Sequence, residues 1–197
     1  MELILASASP QRALVLRNAG FVFDVLPSHV DEVRFPNEGA EDYVRRVAGM
    51  KSRLAAEVRA NRASQAMIIG ADTVVVSQRQ VLGKPRSIED ARRMLGMLSG
   101  TTHEVLTGLS IILSPDGAGA SHVETSRVSF IELSGGDIED YLATGEPLDK
   151  AGAYGIQGIG GRFIRRIEGC YFNVMGLPVS RVWSLLRRFG FRDLLKS

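Results

Sequence analysis

The feature that most constrains this chain is residues 66–85, AMIIGADTVVVSQRQVLGKP, an apolar run interrupted by one carboxylate and followed by a turn and a lysine. Met67, Ile68 and Ile69 show no polar alternation and are mostly β-branched, the pattern of a short strand buried on both faces. Asp72 follows Gly70 and Ala71 directly. A carboxylate at the end of a buried strand is costly unless it is ion-paired, hydrogen-bonded or bound to a metal, so the chain has to supply its partner. Strand character resumes at 74–76, residues 77–79 suit a turn, and 80–82 return toward Gly83, Lys84 and Pro85. A hairpin of that length brings Lys84 back toward Asp72, and a structural ion pair near a sheet edge is the plainest account of the two.

At 197 residues the chain can build one substantial core, or two lobes sharing one sheet. A net charge of only +2 does not imply a broad nucleic-acid footprint. The local clusters Arg162, Arg165, Arg166 and Arg187, Arg188, Arg192 read as solvated faces, so no nucleic-acid partner is expected. Cys170 is the only cysteine, which excludes an internal disulfide framework or a cysteine zinc cluster and fits a reducing compartment. The start MELILASASP carries neither a basic region nor an apolar run of secretory-signal length, and no stretch approaches a membrane span. A soluble, cytoplasmic protein without membrane association is expected.

In chain order, 3–6 reads as a short buried strand and Ser7, Ala8, Ser9, Pro10, Gln11 and Arg12 follow at once. Ser9 suits a helix N-cap and Pro10 the first helical position, predicting a helix to about Ala19 that stops at Gly20. Helix N-terminal N–H groups with an arginine in the first turn form a candidate phosphate site. Capping by Ser9 with Arg12 at the surface accounts for the same residues without a ligand. A strand is predicted over 21–26, with Asp31 and Glu32 in the loop after it. A long amphipathic helix is predicted over 40–60, with Tyr43, Val47, Met50, Leu54 and Val58 facing the core and Lys51 off that series, solvated.

Ser87 and Asp90 have capping-box form and start a helix ending near Leu98, with Gly100 past it. Strands over 103–113 and 122–133, joined by a turn at Pro115, Asp116 and Gly117, precede a helix over 137–144. Residues 145–161, GEPLDKAGAYGIQGIGG, are too rich in glycine for a regular element and suit a tight bend or close approach of backbone to a ligand. A strand over 162–168, a turn region over 171–178 and a final helix over 179–189 complete a single α/β domain over 1–197.

No phosphate-binding P-loop, H-E-x-x-H or G-x-S-x-G sequence is present, which sets aside three common hydrolase mechanisms. His29, His103 and His122 are scattered and read as structural. There remain separate loops that supply hydroxyls, cations and carboxylates: Ser7, Ser9 and Arg12; Asp31 and Glu32; Asp72; Lys84; Gln157. Such a set suits attack of water on a phosphoanhydride assisted by Mg²⁺, a reaction that needs charge neutralisation and positioning more than a protein nucleophile.

The ordered set A-S-A-S-P-Q-R at 6–12, D-E at 31–32, G-A-D-T-V-V at 70–75, L-G-K-P at 82–85, T-G-E-P-L-D-K-A-G-A-Y-G-I-Q-G at 144–158 and N-V-M-G-L-P at 173–178 resembles the Maf family of nucleoside triphosphate pyrophosphatases over essentially the whole chain. The resemblance implies a twisted mixed β-sheet flanked by helices, with two lobes around a cleft, similar to inosine triphosphate pyrophosphatase folds. It implies hydrolysis between the α and β phosphates with Mg²⁺ or Mn²⁺. It marks Asp72 as general base or metal ligand and Arg12, Glu32, Lys51 and Lys84 as the polar active-site set, with Glu32 holding part of the metal. It places Gln11, Thr73 and Gln157 at positions associated with base selection, while Ser7 and Ser9 belong to the candidate phosphate site at the helix N-terminus. The Y-G-I-Q-G form resembles the subgroup acting on dTTP and UTP, whereas the subgroup acting on 7-methyl-GTP carries an acidic loop there. Gln11 departs from the first arginine usual in the pyrimidine subgroup and leaves base preference open. A homodimer is compatible with the resemblance, and a non-catalytic nucleotide-binding regulator of septum formation is the alternative role.

Overall fold

The run at 66–85 folds into two paired strands, β3 (Ala66–Ser77) and β4 (Gln80–Leu82), in the antiparallel register Val75↔Leu82, Val76↔Val81 and Ser77↔Gln80. Gln78 and Arg79 between them have φ of 49° and 63°, the left-handed pair whose twist matches a two-residue hairpin. Both halves of the predicted strand are therefore one element, and Asp72 lies within it. The computed structural model describes residues 1–60, 62 and 64–192.

The remaining strands are β1 (Glu2–Leu5), β2 (Asp24–Val25), β5 (Thr102–Ser114), β6 (Gly119–Phe130) and β7 (Ile164–Glu168). The helices are α1 (Pro10–Asn18), α2 (Ala40–Val58), α3 (Ile88–Leu98), α4 (Gly135–Ala143), α5 (Tyr171–Val174) and α6 (Val179–Arg188). The strands form one mixed seven-stranded sheet in the order β2-β1-β3-β5-β6-β7, with β4 attached to β3. β1 runs parallel to both β2 and β3, and β6 and β7 are antiparallel with an irregularity at Ser129 and Phe130. This is the mixed, helix-flanked α/β sheet expected from the sequence. Among the described residues no helix is long and apolar enough to cross a membrane.

The chain divides into two compact units, interleaved in sequence. The first comprises Met1–Asp72, Thr107–Glu124 and Gly176–Ser197; the second comprises Thr73–Leu106 and Thr125–Met175. In the first unit Ile4, Ala6, Ala55, Ala66 and Ile68 form a buried cluster. In the second, α3 and α4 pack Leu95, Leu98 and Tyr141 with Phe130, Tyr154 and Phe163, and the rings meet edge to face.

Several local expectations change. The strand predicted over 21–26 contracts to Asp24–Val25 because the Phe21 N–H bonds back to the Leu16 carbonyl at 3.1 Å, which keeps Phe21 in the exit of α1. Residues 145–161 are organised as three short 3₁₀ segments, Glu146–Asp149, Ala151–Ala153 and Ile159–Phe163, instead of an irregular loop. α2 buries Val44, Val47, Ala48, Lys51, Ser52 and Ala55, whereas Val58 is exposed. The stripe is rotated because α2 presses its backbone onto the sheet through two glycines. A Cβ on Gly70 would stand 2.2 Å from the Ala48 carbonyl oxygen, and one on Gly108 would stand 2.2 Å from that of Val44. At such a distance only small side chains fit the contact, and the longer Met50 and Leu54 are displaced to its margins.

Candidate functional site

The turn from β1 into α1 is built from its own hydroxyls. Ser9 caps α1 by accepting the Arg12 N–H at 3.4 Å, and Ser7 Oγ accepts the Ser9 N–H at 3.2 Å. Pro10 at the start of the helix has no N–H to lose and a preset φ. Arg12 is not at the surface. It is 8 % exposed, and its guanidinium donates from Nε to the Gly176 carbonyl at 2.9 Å and from Nη1 to Ser7 Oγ at 3.1 Å and the Ala71 carbonyl at 2.9 Å. One side chain thus ties the β1–α1 turn to the residue before Asp72 and to the N-V-M-G-L-P segment. Gln11, beside it in the first turn, is half-buried, and its Oε1 is buried without a hydrogen-bond partner among the described residues.

Within the first unit Asp72 is partnered by Lys51. Lys51 Nζ lies 2.8 Å from Asp72 Oδ1 and 2.6 Å from Glu32 Oε1. Lys51, which periodicity alone places in solvent, is 6 % exposed and Asp72 is 7 % exposed, whereas the Glu32 side chain remains about half exposed. The rotated stripe of α2 is the cause, since Lys51 follows the small-residue contact of Ala48 with Gly70 and is carried onto the sheet beside Asp72. Burial pushes the Arg12 guanidinium pKa below its ordinary value while the negative charges of Asp72 and Glu32 push it up, which places both carboxylates in its field. Two cations, Arg12 and Lys51, are thereby balanced by two anions.

Tyr43 belongs to this cluster, although its spacing in the sequence marks it only as a core contact. Its hydroxyl donates to the Glu32 backbone carbonyl at 2.8 Å and so anchors the loop that carries that carboxylate. Burial and then the charges of Asp72 and Glu32 push its pKa up to about 12. The available signal is its position on α2 about two turns before Lys51, on the same face, with a polar tip on an apolar ring.

Ser7, Ser9, Gln11, Arg12, Glu32, Lys51 and Asp72 all lie in the first unit. Thr73, Lys84 and Gln157 lie in the second, where Thr73 is partly buried in β3 and Lys84 and Gln157 are exposed. Within that unit the Gly152 N–H donates to the Gly83 carbonyl at 3.0 Å, so the glycine-rich segment is tied to the residue before Lys84. Asp31 accepts the Val33 N–H at 2.9 Å and acts within its own loop. His103 is 2 % exposed with Nε2 2.9 Å from Tyr154 Oη, and burial pushes its pKa down to about 4, as a structural histidine requires.

Glu32 and Asp72 supply the hard carboxylate oxygens that Mg²⁺ or Mn²⁺ prefers. Lys51 lies against Oε1 of Glu32 and Oδ1 of Asp72, and the carboxylate donor chemistry is compatible with a divalent ion that takes its other ligands from water and phosphate.

Two cations and two carboxylates are thus assembled at a buried strand beside a helix N-terminus of an α/β protein. A family model described as Maf-like protein matches residues 2–189, and the chain belongs to that family. It is 50% identical over 190 residues to the dTTP/UTP pyrophosphatase of Koribacter versatilis (strain Ellin345), covering 96% of this chain and 95% of that protein. It is 48% identical over 190 residues to the dTTP/UTP pyrophosphatase of Geobacillus sp. (strain WCH70), covering 96% and 99%. With the dTTP/UTP pyrophosphatase of Vibrio cholerae serotype O1 it shares 46% identity over 188 residues, covering 95% and 98%. Among solved structures, a nucleoside-triphosphatase / dITP/XTP pyrophosphatase from Mycobacterium abscessus overlaps with a TM-score of 0.38 at 14% identity over 68% of this chain and 76% of that one.

Proposed function

We propose that this chain is a nucleoside triphosphate pyrophosphatase that hydrolyses dTTP and UTP to the nucleoside monophosphate and pyrophosphate. The observation that carries the proposal is the buried Asp72, oriented by Lys51 at 2.8 Å and joined through that lysine to Glu32. Such a pair is a weak source of stability for a buried strand, because replacing a buried ion pair by apolar side chains is often neutral or favourable. Its presence is accounted for by chemistry. The names of the relatives supply the substrate class.

In this reading Asp72 takes the proton of a water molecule whose oxygen attacks the α-phosphorus, and the bond to the bridging oxygen breaks to release pyrophosphate. Lys51 holds Oδ1 so that the other carboxylate oxygen is presented in one orientation. Glu32 would hold part of the Mg²⁺ or Mn²⁺, which when bound supplies charge neutralisation to the phosphates; Asp72 serves as the base, the metal-ligand role being the alternative to it. Ser7, Ser9 and the first-turn N–H groups of α1 receive phosphate oxygens, and Arg12 adds positive charge from behind that turn. Lys84 is a further phosphate contact, and Gln11, Thr73 and Gln157 contact the base. A cytoplasmic setting and a homodimer belong to the same reading.

Incubation with a panel of nucleotides and Mg²⁺ or Mn²⁺, with pyrophosphate and orthophosphate assayed separately, tests it. Pyrophosphate from dTTP or UTP is expected. Orthophosphate alone, or no product from any nucleotide, would overturn the proposal, and release from 7-methyl-GTP in preference to pyrimidines would move the substrate assignment.

A further inference from the structure

The segment around Gln157 is folded about a single carboxylate. Glu146, at the start of the first 3₁₀ segment, accepts the Ile159 N–H on Oε2 at 2.8 Å. On Oε1 it accepts the Gly160 N–H at 3.2 Å and the Tyr141 hydroxyl at 2.8 Å. Tyr141 Oη in turn accepts the Gly155 N–H at 3.1 Å. Backbone donors on both sides of Gln157 thus end on one two-residue network, and Gln157 itself is exposed between them.

The glycines of Y-G-I-Q-G-I-G follow from this network. A Cβ on Gly158 would stand 2.2 Å from Glu146 Oε2, one on Gly160 would stand 2.5 Å from Tyr141 Oη, and one on Gly155 would stand 2.7 Å from Lys150 Cε. A side chain at Gly158 would have to displace the Glu146 carboxylate, one at Gly160 the Tyr141 phenol, and one at Gly155 the Lys150 side chain. The carboxylate is also held ionised. Burial raises its pKa, but the Ile159, Tyr141 and Gly160 bonds and the nearby Lys150 charge outweigh that and bring it below the ordinary value.

We infer that Glu146, acting with Tyr141, is a positioning residue that fixes the geometry of Gln157 and through it the discrimination between bases. The inference rests on the proposed role of Gln157 in reading the base. Glutamine reads a base by hydrogen bonds, and their selectivity depends on an amide held in one place by its supporting bonds. Glu146→Gln keeps the size and replaces one acceptor oxygen by an NH₂ group, so at least one backbone N–H faces another donor. Tyr141→Phe removes the Gly155 acceptor and leaves the carboxylate in place.

The test measures kcat and KM for dTTP, UTP, CTP and GTP in the parent, Glu146→Gln, Tyr141→Phe, Gln157→Ala and the Glu146→Gln/Gln157→Ala double variant, with thermal melts of each. The expected result is that Gln157→Ala and Glu146→Gln each lower the ratio of kcat/KM between the preferred pyrimidine and GTP by about fivefold to tenfold. The loss should lie mainly in KM, be smaller in Tyr141→Phe, and be no larger in the double variant than in Gln157→Ala alone. If Gln157→Ala lowers the ratio but Glu146→Gln and Tyr141→Phe reduce kcat equally for all nucleotides, Glu146 is structural only and the inference is overturned. If Gln157→Ala leaves the ratio unchanged, the reading of Gln157 itself fails, and the inference falls with it.

Discussion

The Lys51 ammonium lies 2.8 Å from Asp72 Oδ1, and both side chains are buried. Removing one partner of such a pair leaves an uncompensated charge out of water, at a cost of about 3–5 kcal/mol. Lys51→Met therefore lowers stability to urea by an amount of that order and lowers turnover by at least about 10²-fold, because Asp72 loses the group that orients it. The combined Lys51→Met/Asp72→Asn variant recovers much of the stability and none of the activity. A Lys51→Met variant as stable as the parent would show that the pair is not buried in solution.

Gly70 and Gly108 fix how closely α2 approaches the sheet, so their substitution reports on the placement of Lys51. Adding a methyl group at either position forces backbone to move, since the obstructing atoms are carbonyl oxygens at 2.2 Å. Gly70→Ala and Gly108→Ala are each expected to cost about 2–4 kcal/mol. Gly96→Ala is the control. Gly96 is exposed within α3, where an added methyl group would meet nothing within 4 Å, and the change should stabilise by about 0.5–1 kcal/mol. Equilibrium urea curves for the three variants decide the matter.

The same glycines explain what is and is not legible in the sequence. Strand and helix identities follow from local signals: the apolar run at 66–77, Ser9 and Pro10 opening α1, Ser87 opening α3. The ion-pair partner of Asp72 does not, because the stripe of α2 is chosen by the fit of Ala48 and Ser52 against Gly70, a relation between residues distant in the chain. Periodicity weighted by size selects Met50 and Leu54 and so turns Lys51 to solvent. The ordered motifs correct the role of Lys51 without supplying its geometry. Nothing local indicates that Arg12 binds the Ala71 and Gly176 carbonyls, or that Tyr43 holds the Glu32 loop.

Arg12 gives a third prediction. Its Nε and Nη1 meet acceptors on three separate segments, a planar fork that an ammonium cannot reproduce. Arg12→Lys keeps the charge and leaves at least one buried carbonyl unpaired, at a cost of about 1–3 kcal/mol. Because one of those carbonyls belongs to Ala71, kcat should fall as well as KM rise. A change confined to KM would instead mark Arg12 as a phosphate contact with no part in placing Asp72.

His103 gives the pH dependence. Desolvation brings its folded pKa down to about 4 from the ordinary 6.5 of an imidazole in water. The unfolded chain therefore binds a proton below about pH 6.5 that the folded chain refuses until about pH 4. Stability from this group is complete above pH 6.5 and is lost as pH falls through that window, by on the order of 3 kcal/mol at its lower end. Tyr154, its partner at 2.9 Å, has its pKa raised by burial and stays neutral throughout. His103→Gln removes the titration and keeps a polar atom for the Tyr154 hydroxyl. Urea midpoints measured between pH 4 and 8 should fall more steeply toward acid in the parent than in the variant, and parallel curves would show that His103 does not govern the acid limb.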